Sequence, residues 1–155
     1  MKVIIREMKI ADIAVIMNLE KELFSAPWSE AMFSEQIRGH YAYVLQKDEN
    51  KKIIGYLCGW KLLNEFTITN IGITGDFQRM GFGTKLVKFI ISKLLHEMCF
   101  KITLEVRESN LKAIGFYNKF GFEEIGLRGN YYRNPVENAV IMRLNMLQKI
   151  EGNNS

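Results

Sequence analysis

The stretch Ile71–Glu97, IGITGDFQRMGFGTKLVKFIISKLLHE, constrains this chain more than any other. It begins as an apolar β-type run, tightens into a polar turn, and continues as a long amphipathic pattern. Leu86, Ile90 and Leu94 recur at four-residue spacing, as do Val87, Ile91 and Leu95, with Lys85, Lys88, Ser92 and Lys93 between them. That period predicts a helix with one apolar face. The turn reads Gln78-Arg79-Met80-Gly81-Phe82-Gly83-Thr84. Gly81 and Gly83 let backbone approach a ligand closely, and the helix start offers unpaired N–H groups at the positive end of its dipole. A strand, a glycine turn and a helix N-terminus in that order make an anion site, most often one for phosphates.

A chain of 155 residues defaults to one domain with enough length to bury a full core. Hydrophobic residues at 48% and charged ones at 25% sit near the globular average, so intrinsic disorder is not indicated. A formal charge of +4, scattered along the chain, suits an anionic ligand but forms no basic cluster interleaved with aromatics, so no direct nucleic-acid binding is expected. Cys58 and Cys99 lie in or beside apolar runs without metal-ligand spacing, and His40 and His96 add no cluster, so no metal site is expected. Buried, reduced thiols fit a cytoplasmic protein. No run reads as a signal peptide or a membrane span, so no membrane partner is expected.

In chain order, Lys2–Arg6 reads as a strand. Asp12 then stands at the start of a helix whose face is Ile13, Ile16, Met17 and Leu23. Pro27 breaks the pattern, and Ser29 caps a second helix through about Arg38. Trp28, between the two helices, either plugs a core edge or lines a cleft. Tyr41–Lys47, Lys52–Leu63 and Glu65–Ile73 read as an antiparallel meander, in which Gly55 and Gly59 mark a bulge or a close backbone approach. Lys101–Val106 is a strand, Asn110–Lys119 a helix closed by Gly121, and Glu123–Leu127 and Ala139–Asn145 are the last strands. The order βααβββαβαββ predicts an α+β fold: a mixed, mostly antiparallel sheet with helices on both faces. A single domain is expected over 1–147, and a polar tail over 148–155.

Spacing separates the phosphate motifs. The P-loop pattern requires Gly-Lys-Ser/Thr after its last spacer, which Gly83-Thr84 does not supply. The dinucleotide pattern requires a third glycine where Leu86 stands, and a βαβ opening rather than a meander. What remains is Gln/Arg-x-x-Gly-x-Gly after the fourth strand. This resembles the acetyl-CoA pyrophosphate loop of the GNAT acyltransferase superfamily. The resemblance extends through Ala26-Pro27-Trp28-Ser29-Glu30, Asn70-Ile71-Gly72-Ile73, Asp76-Phe77-Gln78-Arg79, Leu104-Glu105-Val106-Arg107, Ser109-Asn110, Phe116-Tyr117 with Phe120-Gly121-Phe122, Asn130-Tyr131-Tyr132 and Ala139-Val140-Ile141-Met142. Within the superfamily these pieces are most similar to the bacterial RimI-type group, which acetylates the N-terminal alanine of a small-subunit ribosomal protein. Gly75 stands where that group usually has proline, and Asn138 where an acidic residue is common.

The resemblance implies a monomeric acetyl-CoA-dependent N-acetyltransferase whose partner is a protein N-terminus. It implies that Ile71, Gly72 and Ile73 hold the pantetheine arm as an added strand, one amide of that strand polarising the acetyl carbonyl. Gln78, Arg79, Met80, Gly81, Phe82, Gly83 and Thr84 would hold the pyrophosphate, and Asn110 would contact the coenzyme. Glu105 would be the general base and Tyr117 the general acid; Trp28, Tyr131 and Tyr132 would shape the acceptor site. Taken without the resemblance, Glu105 is an ordinary polar position of an alternating strand, and each tyrosine is one more packing aromatic. A GNAT acting on lysine or a small amine, and a non-catalytic acyl-CoA-binding module, are the alternatives.

Overall fold

Strands and helices alternate as the sequence predicts in the computed structural model, which describes residues 1–148. They are β1 (Val3–Glu7), α1 (Ile13–Leu23), α2 (Glu30–Arg38), β2 (Ala42–Lys47), β3 (Ile53–Leu62), β4 (Glu65–Ile73), α3 (Phe82–His96), β5 (Lys101–Arg107), α4 (Leu111–Asn118), β6 (Glu123–Tyr132) and β7 (Glu137–Asn145), with short 3-10 turns before α1 and after β4. The expected polar tail falls outside the described residues except for residue 148.

The sheet has seven strands in the order β1-β2-β3-β4-β5-β7-β6. β4 and β5 pair in parallel, whereas β1/β2, β2/β3, β5/β7 and β6/β7 pair antiparallel. A parallel pair needs a crossover connection, and α3 supplies it. The mixed, mostly antiparallel sheet expected from the element order is therefore present. The chain divides into two compact units, one of Met1–Trp60 with Thr69–Lys93, the other of Lys61–Ile68 with Leu94 onward.

In the first unit β2 and β3 are covered on both faces. Ala42 and Val44, paired across the ladder with Cys58 and Tyr56, join Ile13, Ile16 and Phe33 of α1 and α2 in one buried cluster. Tyr43 points to the opposite face by the strand's two-residue period, where its ring meets Phe89 of α3 edge-on at 4.9 Å. Of the two apolar stripes on α3, Leu86, Ile90 and Leu94 are fully buried, while Ile91 and Leu95 are half-buried. Ser29 caps α2 as expected, its hydroxyl accepting from the Met32 amide. Asp12 behaves differently from a simple cap of α1. Its carboxylate accepts from the Lys9 amide at 2.7 Å and pairs with Arg6 at 2.8 Å, closing the 3-10 turn that precedes the helix.

Gly55 is a close backbone approach. A Cβ there would lie 3.0 Å from the Gly72 carbonyl oxygen and 2.6 Å from Ile73 Cδ1. The Ile73 methyl can move but the β4 backbone cannot, so Gly55→Ala is expected to cost about 1–3 kcal/mol of overpacking strain. The expected readout is a melting temperature lower by roughly 3–10 °C in thermal denaturation.

In the second unit β5 alternates as read, with Ile102, Leu104 and Val106 buried and Thr103, Glu105 and Arg107 half-buried. One expectation is corrected: β6 does not stop at Leu127 but runs to Tyr132. Arg128 pairs with Ala139 and Tyr132 with Glu137, so β6 carries two extra residues between those points. Asn130 absorbs them in the left-handed region, at φ 52°, which an asparagine tolerates better than most residues. Asn130-Tyr131-Tyr132 thus belong to an irregular strand end rather than to a free loop.

Cys58 and Cys99 are both buried and unbridged. No helix among the described residues is long and apolar enough to cross a membrane.

Candidate active site

The first unit holds the glycine turn. Lys85 is the first residue of α3 to donate within the helix, to the Gly81 carbonyl at 3.1 Å. The amides of Phe82, Gly83 and Thr84 therefore precede the helical ladder and form its N-terminal donor set. Arg79 (φ 61°) and Gly81 (φ 86°) both take left-handed conformations, which turn the chain sharply from the 3-10 turn Gly75–Phe77 into α3. Gln78 turns its side-chain amide back to the Ile73 carbonyl at 2.9 Å, bracing the turn against the end of β4. Met80, Gly81, Phe82, Thr84, Lys85 and Lys88 line an open depression of about 300 Å³. Backbone donors, a helix N-terminus and two ammonium groups fit a diphosphate. Lys85 and Lys88 were hidden in the sequence because they read as the polar face of an amphipathic helix. Their position in its first two turns was the available signal.

The same unit holds Ile71, Gly72 and Ile73 at the end of β4, and Trp28 in the α1–α2 loop. Trp28 is half-buried, with its ring 5.2 Å from that of Phe33. Its amide donates to the carboxylate of Glu20, a residue not singled out above although its place on the Ile13, Ile16, Met17 and Leu23 face of α1 was the available signal.

The second unit gathers Glu105, Tyr117, Tyr131 and Tyr132. Glu105 Oε1 stands 3.0 Å from Arg128 Nε of β6. A hydrogen bond to Glu105 raises the Tyr131 phenol above its ordinary value. Burial first, and then the Glu105 charge, push Tyr132 up to about 12. Tyr117 is almost wholly buried in α4, its ring 5.5 Å from Phe122. Burial raises its phenol well above the usual range, with Tyr132 adding to the shift, so Tyr117 stays protonated throughout the neutral range. Asn110, expected at the coenzyme, is also the N-cap of α4, accepting from the Ala113 amide at 3.2 Å.

Arg107 holds this tyrosine-bearing hairpin. Its guanidinium lies 4.5 Å from the Tyr132 ring centroid, donates to the Arg133 and Pro135 carbonyls, and pairs with Glu137 at 3.2 Å. Asn138 explains one departure from the RimI-type pattern. Its side chain accepts from the Asn130 amide and donates to Glu108, each at 3.0 Å. A carboxylate at 138 could not donate to Glu108, so the amide suits the glutamate it faces.

Among the described residues no group of three His, Cys, Asp or Glu side chains is placed to hold a metal ion. The chemistry on offer is a set of donors suited to a phosphate in one unit, and in the other a carboxylate among phenols, one of them buried and held protonated.

Residues 13–122 match the family model described as the acetyltransferase (GNAT) family. A [ribosomal protein bS18]-alanine N-acetyltransferase of Haemophilus influenzae is 35% identical over 142 residues, 90% of this chain and 96% of that protein. The crystal structure of the ribosomal-protein-S18-alanine N-acetyltransferase from Escherichia coli superposes with a TM-score of 0.86 at 30% identity, covering 94% of each chain. Arabidopsis thaliana NAA60 in complex with acetyl-CoA, 13% identical over 93% of this chain and 99% of that one, superposes with a TM-score of 0.83 and shows the fold alone.

Proposed function

Because the chain belongs to the GNAT acetyltransferase family, we propose that it moves acetyl from acetyl-CoA to the α-amine of an N-terminal alanine on a small-subunit ribosomal protein. It does so in the cytoplasm, as a monomer, through one acetyltransferase domain over residues 1–147. The family match at 13–122 runs through both compact units, which supports treating them as one domain. The observation that carries the catalytic reading is the setting of Glu105, a half-buried strand carboxylate bonded by Arg128 and Tyr131 with Tyr132 beside it. The bS18-alanine N-acetyltransferases similar to this chain support the choice of acceptor.

An α-ammonium titrates at about 7.7–8.0, against about 10.4 for lysine, so a modest base suffices to neutralise it. Glu105 takes that proton, the neutral nitrogen bonds to the acetyl carbon as the carbon–sulfur bond breaks, and the nitrogen's surplus proton then leaves to solvent, which also restores the Tyr117 phenol after the transfer. Arg128 does not block the carboxylate. Its side chain is 58% exposed, and such a surface pair is worth less than about 1 kcal/mol, so an incoming ammonium displaces it at little cost. Tyr117 gives its proton to the departing thiolate. Burial raises the phenol and the proton affinity of a thiolate beside it together, so the gap between their ordinary values, about 10 and about 8.5, persists and placement of the phenol within hydrogen-bond reach of the sulfur has to offset it. Backbone donors at Phe82–Thr84, with Lys85 and Lys88, bind the pyrophosphate; Ile71–Ile73 orient the pantetheine arm; and Trp28, Tyr131 and Tyr132 receive the peptide.

Turnover against a panel of N-terminal peptides, internal-lysine peptides and polyamines tests this reading. An alanine-starting ribosomal peptide is expected to have the highest kcat/KM, by at least about tenfold, the size of one lost contact in a specificity pocket. Preference for lysine or polyamines would assign a different acceptor. Tight acetyl-CoA binding without turnover would make the protein a binding module.

A further inference from the structure

Glu20 is a buried carboxylate that none of the acetyl-transfer roles uses. It lies near the end of α1, is 1% exposed, and collects three donors from three separate elements. Oε1 accepts from the Tyr56 hydroxyl of β3 and the Asn70 amide of β4, and Oε2 accepts from the Trp28 backbone N–H in the α1–α2 loop at 2.9 Å. A carboxylate is tolerated in a core only when donors satisfy it, and an apolar side chain of equal volume is often no less stabilising. What the carboxylate adds is direction. The Trp28 bond is to backbone, so it holds the path of the loop and not only the ring.

The neighbours of Glu20 reach the coenzyme strand. Asn70 directly precedes Ile71. A Cβ on Gly72 would lie 2.7 Å from the Tyr56 hydroxyl and 2.9 Å from Leu23 Cδ1, so Gly72 packs directly on Tyr56 and α1. Rings continue the contact, Trp28 on Phe33 at 5.2 Å and Phe33 on Tyr56 at 6.1 Å.

We propose that Glu20 is a positioning residue that registers the Trp28 loop against Asn70–Ile73 of β4, so that the acceptor amine and the thioester are held in one geometry. This rests on the assignment of Trp28 to the acceptor and of Ile71–Ile73 to the coenzyme. Loosening the loop weakens acceptor binding and leaves the coenzyme strand in place.

The test is Glu20→Gln beside Tyr56→Phe. Glutamine carries one acceptor oxygen where glutamate has two, so it cannot accept on both sides. Tyr56→Phe removes a donor from Oε1 and spares the Trp28 bond. Glu20→Gln is expected to speed hydrogen exchange at the Trp28 amide, read by NMR, and to raise KM for the acceptor peptide, each by about tenfold, the equivalent of one charge-assisted hydrogen bond. KM for acetyl-CoA is expected to stay near the wild-type value, and Tyr56→Phe to move neither acceptor KM nor Trp28 exchange. Should Glu20→Gln not fold, Glu20→Met keeps the volume, removes both acceptors and is read the same way. Unchanged Trp28 exchange, or an acceptor KM that moves equally in Tyr56→Phe, overturns the proposal. A wild-type protein that turns over no peptide refutes the acceptor reading instead, and the Trp28 exchange still decides whether Glu20 fixes the loop.

Discussion

Glu105→Gln is expected to lower kcat by about 10²–10⁴-fold, the usual contribution of a positioned general base, with acetyl-CoA affinity unchanged by calorimetry. The substitution is close to isosteric, and its amide oxygen can still accept from Tyr131. Arg128 loses its partner, but at 58% exposure it returns to water, so the fold is not at stake. The loss is specific to proton removal. It is therefore expected to be largest below the pKa of the α-amine, about 7.7–8.0, and to shrink above it, where solvent already supplies neutral amine. Steady-state rates measured from about pH 6 to pH 9 decide the matter. A variant with full rate across that range removes Glu105 as the base.

Elements were legible wherever a short period carried them. The two stripes of α3 and the alternation of β5 each lie within one window, and the Ser29 cap is written three residues from the amide it serves. Pairings between distant residues leave no such period. Glu20 reaches Tyr56 and Asn70 across 36 and 50 positions; its place on the apolar face of α1 marks it as a carboxylate at a core position but does not say which donors meet it. Arg128 meets Glu105 only because β6 and β5 flank β7. The length of β6 was lost for a related reason. Its two extra residues break the strand period at Asn130, where sequence suggests a turn and the ladder nonetheless resumes at Tyr132. The roles proposed for Glu105 and Tyr117 came from the resemblance and not from spacing, since each is also an unremarkable member of its own element.

Gly81→Glu is expected to weaken acetyl-CoA binding by about 100-fold or more, equivalent to roughly 2.7 kcal/mol. Space is not the obstacle, because no atom lies within 4 Å of a Cβ built there. Two other terms act. The backbone at φ 86° costs any residue with a Cβ about 1–2 kcal/mol, and the new carboxylate sits beside the amides of Phe82, Gly83 and Thr84. There it satisfies the donors meant for the pyrophosphate and repels its charge. Gly81→Ala separates the terms, since it carries the strain without the charge. Its melting temperature is expected to fall by about 2–8 °C, with affinity reduced far less than in the glutamate variant. High salt adds a second discriminator. At 1 M the screening length is about 3 Å, so the relative defect of Gly81→Glu should narrow while that of Gly81→Ala stays constant. Equal affinities for the two variants in calorimetry would mean that the anion does not sit on this turn, and the coenzyme would have to be sought elsewhere.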